Sequence, residues 1–333
     1  MKKLILFLIG MVILLFAIPI ICTGKFPEKP ASSIAQQVTN IVEENEPYVY
    51  TQYGTVKLYH HAAGNVEELP IDTFLYGVVS AEMPASFDTE ALKAHAVVAR
   101  TYTIYKIIHN AGKHDGADIC DASTCCQAWI SKEDRLAKWE EATRDAYWNK
   151  IVEAVDSTQG KMITYEGQPI HAFFHANSGG TTETPFHVWG GSGYPYLQSV
   201  QTAGEEGYTQ YASDASFTVE ELTQKIQAQH SKFSIDISQP DCIAVEEYTQ
   251  GGRVKTIRIG NTTLSGVEVR TLLGLRSANF TVQIEGSTIH FHVIGYGHGV
   301  GMSQTGADSL AKQGSDYTSI IHHFYTGVEI QDM

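Results

Sequence analysis

Charge is scarce in this chain, and positive charge is the scarcer kind. Only 18% of the 333 residues are charged, with 37 Asp and Glu against 23 Lys and Arg, a formal net charge of −14. That balance argues against nucleic acid or an anionic lipid surface as the main partner. Several signatures of known chemistry are also missing. There is no His-Glu-x-x-His, the usual sequence support for a zinc hydrolase. No glycine-rich loop ends in Gly-Lys-Ser/Thr, so a nucleotide site is disfavoured. Gly-x-Ser-x-Gly is absent, so a Ser303 nucleophile with His298 as its base lacks its usual setting. Internal repeats and low-complexity tracts are absent too. Cysteine is sparse, five residues in all.

What remains is the composition of a globular protein, 43% hydrophobic, with length for one large domain or two small ones. One long apolar run exists. Leu4 to Ile21 carries no charge and follows Lys2 and Lys3. Its length just spans a bilayer as a helix, and the lysines favour a cytoplasmic N-terminus. The alternative is a cleaved signal peptide, although no clear Ala-x-Ala site follows. Ile20 and Ile21 are too bulky for Cys22 to end a usual lipobox. We read residues 1–24 as a membrane anchor, 25–47 as a polar, proline-containing tether, and 48–333 as an extracytoplasmic domain.

Within that domain helical and strand patterns are mixed, so the fold class is α+β. Residues 56–60 and 66–69 read as strands, and 70–79 as a short helix leading into Glu82. Asp88 to Tyr102 reads as a helix with Asp88 as N-cap and Glu90 in its first turn. Residues 131–155 read as one helical stretch ended near Gly160. A hairpin is expected over 161–165 and 170–176, and a strand pair over 280–284 and 288–294, each around a Glu-Gly turn. Thr218-x-x-Glu221 and Ser265-x-x-Glu268 are capping-box patterns, and two helices close the chain. The expected architecture is helices and antiparallel hairpins around a substrate groove.

Three stretches carry candidate chemistry. Glu82 is a lone carboxyl in an apolar run ended by Pro84. A carboxyl among apolar neighbours has a raised pKa and can give a proton to a leaving oxygen near neutral pH. On the following helix Lys93, Val97 and Arg100 share one face. The two cations either snorkel at the helix edge or face a wet cavity. Gly295-Tyr-Gly-His-Gly-Val-Gly301 precedes Ser303 and Gln304, and its glycines permit positive φ and close approach of a ligand to the backbone. We take His298, Ser303 and Gln304 as substrate-binding candidates. Finally, His114, Cys120 and Cys126 stand six residues apart, with Cys125 as a further candidate group. Zinc takes such ligands, although finger spacings are usually shorter, and a Cys120–Cys126 disulfide is the alternative in an oxidising compartment.

Taken together, three stretches resemble the stage II sporulation protein D family. They are Gly77-Val-Val-Ser-Ala-Glu-Met-Pro84 with Glu90 to Tyr102, His175-Ala-Asn-Ser-Gly-Gly-Thr181, and Gly297-His-Gly-Val-Gly-Met-Ser-Gln-Thr-Gly-Ala307. The likeness runs over roughly residues 50–330 and includes the N-terminal apolar segment. Thr305 stands where the family more often has an aromatic residue, and His95 where glutamine is common. The resemblance implies a lytic transglycosylase that cuts the MurNAc–GlcNAc bond of peptide-stripped peptidoglycan during forespore engulfment. It implies Glu82 as the catalytic acid and places Lys93, Arg100 and Tyr196 in the substrate groove. Implied partners are glycan strands and stage II sporulation proteins P and M, at the septum or engulfing membrane.

A glycosidase usually needs two carboxyls. A lytic transglycosylase works with one, because the sugar's own 6-hydroxyl replaces water. The absence of an obvious second carboxylate near Glu82 suits this. Lys93 or Arg100 is then expected to bind the lactyl carboxylate exposed on stripped strands, at the cost of lowering the Glu82 pKa. The same domain type also resembles an amidase enhancer, which implies a non-catalytic glycan-binding activator as the alternative. A zinc hydrolase centred on His114, Cys120 and Cys126 is the third reading.

Overall fold

The computed structural model of the protein describes residues 53–109, 114 and 116–333. The expected anchor (1–24) and tether (25–47) lie outside the described residues. Among the described residues no helix is long and apolar enough to cross a membrane.

A hairpin of Thr55–His60 with Asn65–Pro70 leads into helix α1 (Ile71–Glu82), and α1 into the long helix α2 (Thr89–His109). Asp88 caps α2, its carboxylate accepting the Glu90 N–H at 2.9 Å. Ala91, Leu92, Ala94, Ala96, Val97, Val98 and Ala99 are all fully buried. A helix that is apolar all round has to be covered all round. Its small side chains let neighbours come close, and each buried Leu or Val contributes about 2 kcal/mol. Around it pack α1, α4 (Glu141–Asp156), α8 (Gln304–Lys312), α9 (Tyr317–Phe324) and the strand Lys161–Tyr165. The helix outruns the expected end at Tyr102. Thr101 and Thr103 turn their hydroxyls back onto the carbonyls of Val97 and Ala99, at 2.7 and 2.8 Å, which satisfies them inside a continuing helix.

Arg100 corrects the expectation of a groove cation. It is fully buried and neither snorkels nor faces a cavity. Its guanidinium lies 2.9 Å from Asp72 on α1 and donates to the carbonyls of Thr158, Lys161 and Val155. It therefore ties α1 and α2 to the C-terminal end of α4, where carbonyls lack helical partners.

The stretch 131–155 is two helices, α3 (Lys132–Lys138) and α4, because Trp139 is extended at ψ 152°. The expected 161–176 hairpin is shorter than its pattern. Glu166 and Gly167 make the turn at φ +51° and +75°, and the returning strand that pairs with Lys161–Tyr165 is Gln168–Pro169 alone. Its other edge takes the C-terminal strand Glu329–Asp332. The rest of the apparent second strand departs, and Phe174–His175 pairs in parallel with Met302–Ser303.

That parallel pair spans an inserted lobe, which follows a short helix α5 (Pro185–Trp189). The lobe holds two three-stranded sheets, ordered 262–265/254–259/243–248 and 280–285/288–294/212–218. Helices α6 (Val219–Gln227) and α7 (Gly266–Leu273) cover them, begun by the expected caps at Thr218 and Ser265. The lobe has its own core of Leu222, Ile226, Ile257, Phe280, Ile289 and Phe291. Its entry and exit meet where Gly295 N–H donates to the Tyr211 carbonyl at 2.6 Å. The glycine-rich stretch beyond lies against the chain itself. Gly301, at φ +71°, has no room for a side chain, since a Cβ would stand 2.0 Å from the Phe173 oxygen.

Candidate active site

Glu82 is the last residue of α1, half-buried, and its Oε1 accepts the Ala128 N–H at 2.6 Å. Burial pushes its carboxyl up from the usual range, against hydrogen bonds from the Ala128 backbone and the Gln304 side chain that pull it down. Neither Lys93 nor Arg100 figures among the causes of the shift, so the expected depression by either is absent. The carbonyl end of α1 is itself partly negative, which also favours the neutral acid.

The carboxyl opens on a cavity of about 440 Å³. Its walls come from all three stretches that carried the family likeness: Glu82 to Phe87, Ala176, and Gln304 with Thr305. Ala81, Arg135, Trp139, Tyr147, Gln210 and Tyr296 also line it. Among the described residues that line it, Glu82 is the sole carboxyl.

Of the expected substrate residues, only Gln304 shares this cavity with Glu82. Lys93 is tied to Glu90 at 2.8 Å, one turn away on the same helix, and does not line it. Arg100 is the buried clamp already described. Tyr196 is core: its hydroxyl accepts the His171 N–H at 3.0 Å, and its ring packs on Tyr165. His298 lies in a second, tighter cavity with Glu183, His187, Arg253 and Arg270. Burial, with His175 and Arg270 beside it, holds His298 neutral, well below its usual pKa. Ser303 is fully buried, donates to Glu205 and caps α8 by accepting the Gly306 N–H at 3.2 Å, so it is no nucleophile for His298. Arg135 was missed, although its i,i+4 spacing from Trp139 is visible in the sequence.

Glu205 is a second unforeseen residue. Its carboxylate is fully buried. Oε1 accepts from Ser178 N–H at 3.1 Å, Thr305 Oγ1 at 2.8 Å and Ser303 Oγ. Oε2 accepts from Gly180 N–H at 3.1 Å, Thr202 Oγ1 at 2.7 Å and Ser178 Oγ. Burial alone would raise this carboxyl; the donors from Ser178, Ser303 and Thr202 outweigh it and hold the group below the usual range. Glu205 thus joins the middle stretch to the closing one on either side of Gln304.

His114 and the three nearby cysteines form a second cluster. Their ligand atoms all lie within 4.8 Å of one another. His114 Nε2 is 3.4 Å from Cys126 Sγ and 3.7 Å from Cys125 Sγ, and the two sulfurs are 3.8 Å apart. Cys120 and Cys126 are not joined to each other, which corrects the disulfide alternative. Cys125 belongs to the set, and four such ligands suit a tetrahedral metal ion. The cluster adjoins the catalytic candidate: Ala128, the donor to Glu82, lies two residues beyond Cys126. Gln127 between them is anchored to Thr103 of α2 at 2.8 Å.

Because its folded pKa is depressed, the Glu205 contribution is present above the unfolded carboxyl pKa and is lost as pH falls through the folded value. Glu205→Gln should cost about 3 kcal/mol at neutral pH. Urea denaturation of both proteins should show this gap narrowing on acidification.

A family model described as Stage II sporulation protein matches residues 59–165. Stage II sporulation protein D of Bacillus amyloliquefaciens is 33% identical over 341 residues, covering 100% of this chain and 96% of that protein. Stage II sporulation protein D of Bacillus subtilis (strain 168) is 35% identical over 280 residues, covering 84% and 79%. The Amidase enhancer of Bacillus subtilis (strain 168) is 30% identical over 304 residues, 77% of this chain but 40% of that protein. Likeness of this extent, over a chain whose three signature stretches meet in one cavity, means that the protein belongs to the stage II sporulation protein D family, a sporulation family with an amidase-enhancer relative.

Proposed function

We propose that the protein is a lytic transglycosylase that cleaves MurNAc–GlcNAc bonds of peptide-stripped glycan strands during forespore engulfment. The observation that carries this reading is a half-buried carboxyl with a raised pKa, alone among the residues lining a sugar-sized cavity. Glu82 gives its proton to the glycosidic oxygen as the bond to the muramoyl C1 breaks. The resulting carboxylate, held by Ala128 N–H and Gln304, takes the proton of the muramoyl 6-hydroxyl as that oxygen closes on C1. The products are a 1,6-anhydro-MurNAc end and a new GlcNAc hydroxyl, and Glu82 ends protonated as it began. Trp139, Tyr147 and Tyr296 give the cavity aromatic faces suited to sugar rings.

On this reading residues 1–24 are a single-pass anchor with a cytoplasmic N-terminus. The domain then works outside the membrane, at the septum or engulfing membrane, with stage II sporulation proteins P and M. Family membership and the N-terminal apolar run support these placements.

Zinc is the metal we assign to His114, Cys120, Cys125 and Cys126. Tetrahedral zinc, with Zn–S of about 2.3 Å and Zn–N of about 2.0 Å, sets S···S near ~3.8 Å and N···S near ~3.5 Å. The observed 3.8, 3.7 and 3.4 Å agree. A four-ligand site of this kind supplies folding energy and leaves no open position for substrate. Metal analysis should find one zinc per chain, and chelation should lower the melting temperature by several degrees.

The amidase-enhancer relative favours a second reading, a glycan-binding activator without catalysis. Digestion of amidase-stripped peptidoglycan, with products read by mass spectrometry, separates the two. Wild type should give anhydro-muramic ends, and Glu82→Gln should be slower by about 100-fold or more. Reducing ends would mean hydrolysis instead, and binding without cleavage in both proteins would support the activator.

A further inference from the structure

The fully buried guanidinium groups of Arg100 and Arg253 have partners at both terminal nitrogens. Arg100 has Asp72 and three carbonyls. Arg253 donates to the carbonyls of Thr181, Gly251 and Ser178. Arg135 stands apart. Its Nε has no hydrogen-bond partner, as in Arg100 and Arg253, but among the described residues no carboxylate pairs with its guanidinium either. The group lies over the Trp139 ring, 4.8 Å from the centroid, and Trp139 is in turn braced edge-on by Tyr147 at 5.6 Å. All three line the cavity that holds Glu82 and Gln304. Burial depresses the Arg135 pKa with no anion to offset it, yet a guanidinium stays charged in proteins. A desolvated, oriented and unpaired fork is complementary to a planar anion, and a carboxylate accepts two of its N–H groups at once.

We propose that Arg135, seated on Trp139, binds the free lactyl carboxylate of a muramoyl residue beside the bond presented to Glu82, and so selects peptide-free strands over peptide-bearing ones. This rests on the transglycosylase reading above. When a stem peptide is attached, the same carboxyl is an amide. It then brings neither the charge nor the second acceptor oxygen, and the guanidinium stays unpaired in a half-buried site. Lys93 and Arg100 were the sequence-based candidates for this role, and each already has its anion inside the protein. The contact forms on binding and leaves the reacting atoms alone, so its loss is expected mainly in KM.

The test uses muramoyl oligosaccharides with the lactyl carboxyl either free or converted to its methylamide. Cleavage is followed in the wild type, Arg135→Met and Arg135→Lys, and binding by calorimetry in the Glu82→Gln background. Wild type should prefer the free acid by about tenfold or more in kcat/KM, the worth of one charge-assisted contact. Arg135→Met should bring that ratio to about one, through KM. Arg135→Lys, which keeps the charge but not the fork, should retain part of it and guards against a variant that fails to fold. The free-acid preference surviving in Arg135→Met would overturn the proposal while leaving the transglycosylase reading intact. If no protein cleaves, but calorimetry shows a free-acid preference that Arg135→Met removes, the carboxylate site stands and the transglycosylase reading falls.

Discussion

Glu205 gives up all contact with solvent and takes hydrogen bonds from Ser178, Gly180, Thr202, Ser303 and Thr305 in its place. A buried carboxylate is tolerated only when its oxygens are saturated in this way. All of these donors but Thr202 come from the middle and closing stretches, which the inserted lobe separates in sequence. Satisfying one charge therefore fixes where the two stretches meet. Gln304 lies between two of the donors, Ser303 and Thr305, and reaches Glu82 from there. The parallel pairing of Phe174–His175 with Met302–Ser303 and the absence of a side chain at Gly301 serve the same junction.

The two carboxyls have opposite surroundings. Glu205 has more donors than its burial needs to overcome, so it stays charged and structural. Glu82 has one backbone donor and one side-chain donor, too few to overcome burial, so its proton is held more tightly. Environments that push like groups apart in this way separate an acid from a structural anion. The His/Cys cluster bears on the same point from the other side, because the segment it organises delivers the Ala128 N–H to Glu82.

Much of this was legible in the sequence where the signal was local. The apolar run ending at Glu82, the caps at Thr218 and Ser265, the first hairpin and the His/Cys loop are all short-range patterns, and each stands where it was expected. Long-range pairing was not legible. Periodicity put Lys93 and Arg100 on one face, but it does not reveal that Asp72 and the end of α4 would enclose Arg100. Of the strand expected over 170–176 only Phe174–His175 forms, and its partner is the closing stretch rather than the preceding strand. Glu205 left no local trace, because most of its donors are distant in the chain. Thr305, a departure from the family's aromatic, is explained by the same network, where its hydroxyl serves Glu205.

The central claim is that Glu82 is a neutral acid near neutral pH, as the proposed transglycosylase chemistry requires. Carbon-13 NMR of glutamate-labelled protein, with Glu82→Gln to assign the resonance, follows that carboxyl directly. The account requires its midpoint to lie clearly above the ordinary glutamate value of about 4.3. A midpoint at or below that value would leave Glu82 ionised, and the single-carboxyl mechanism would fail with it.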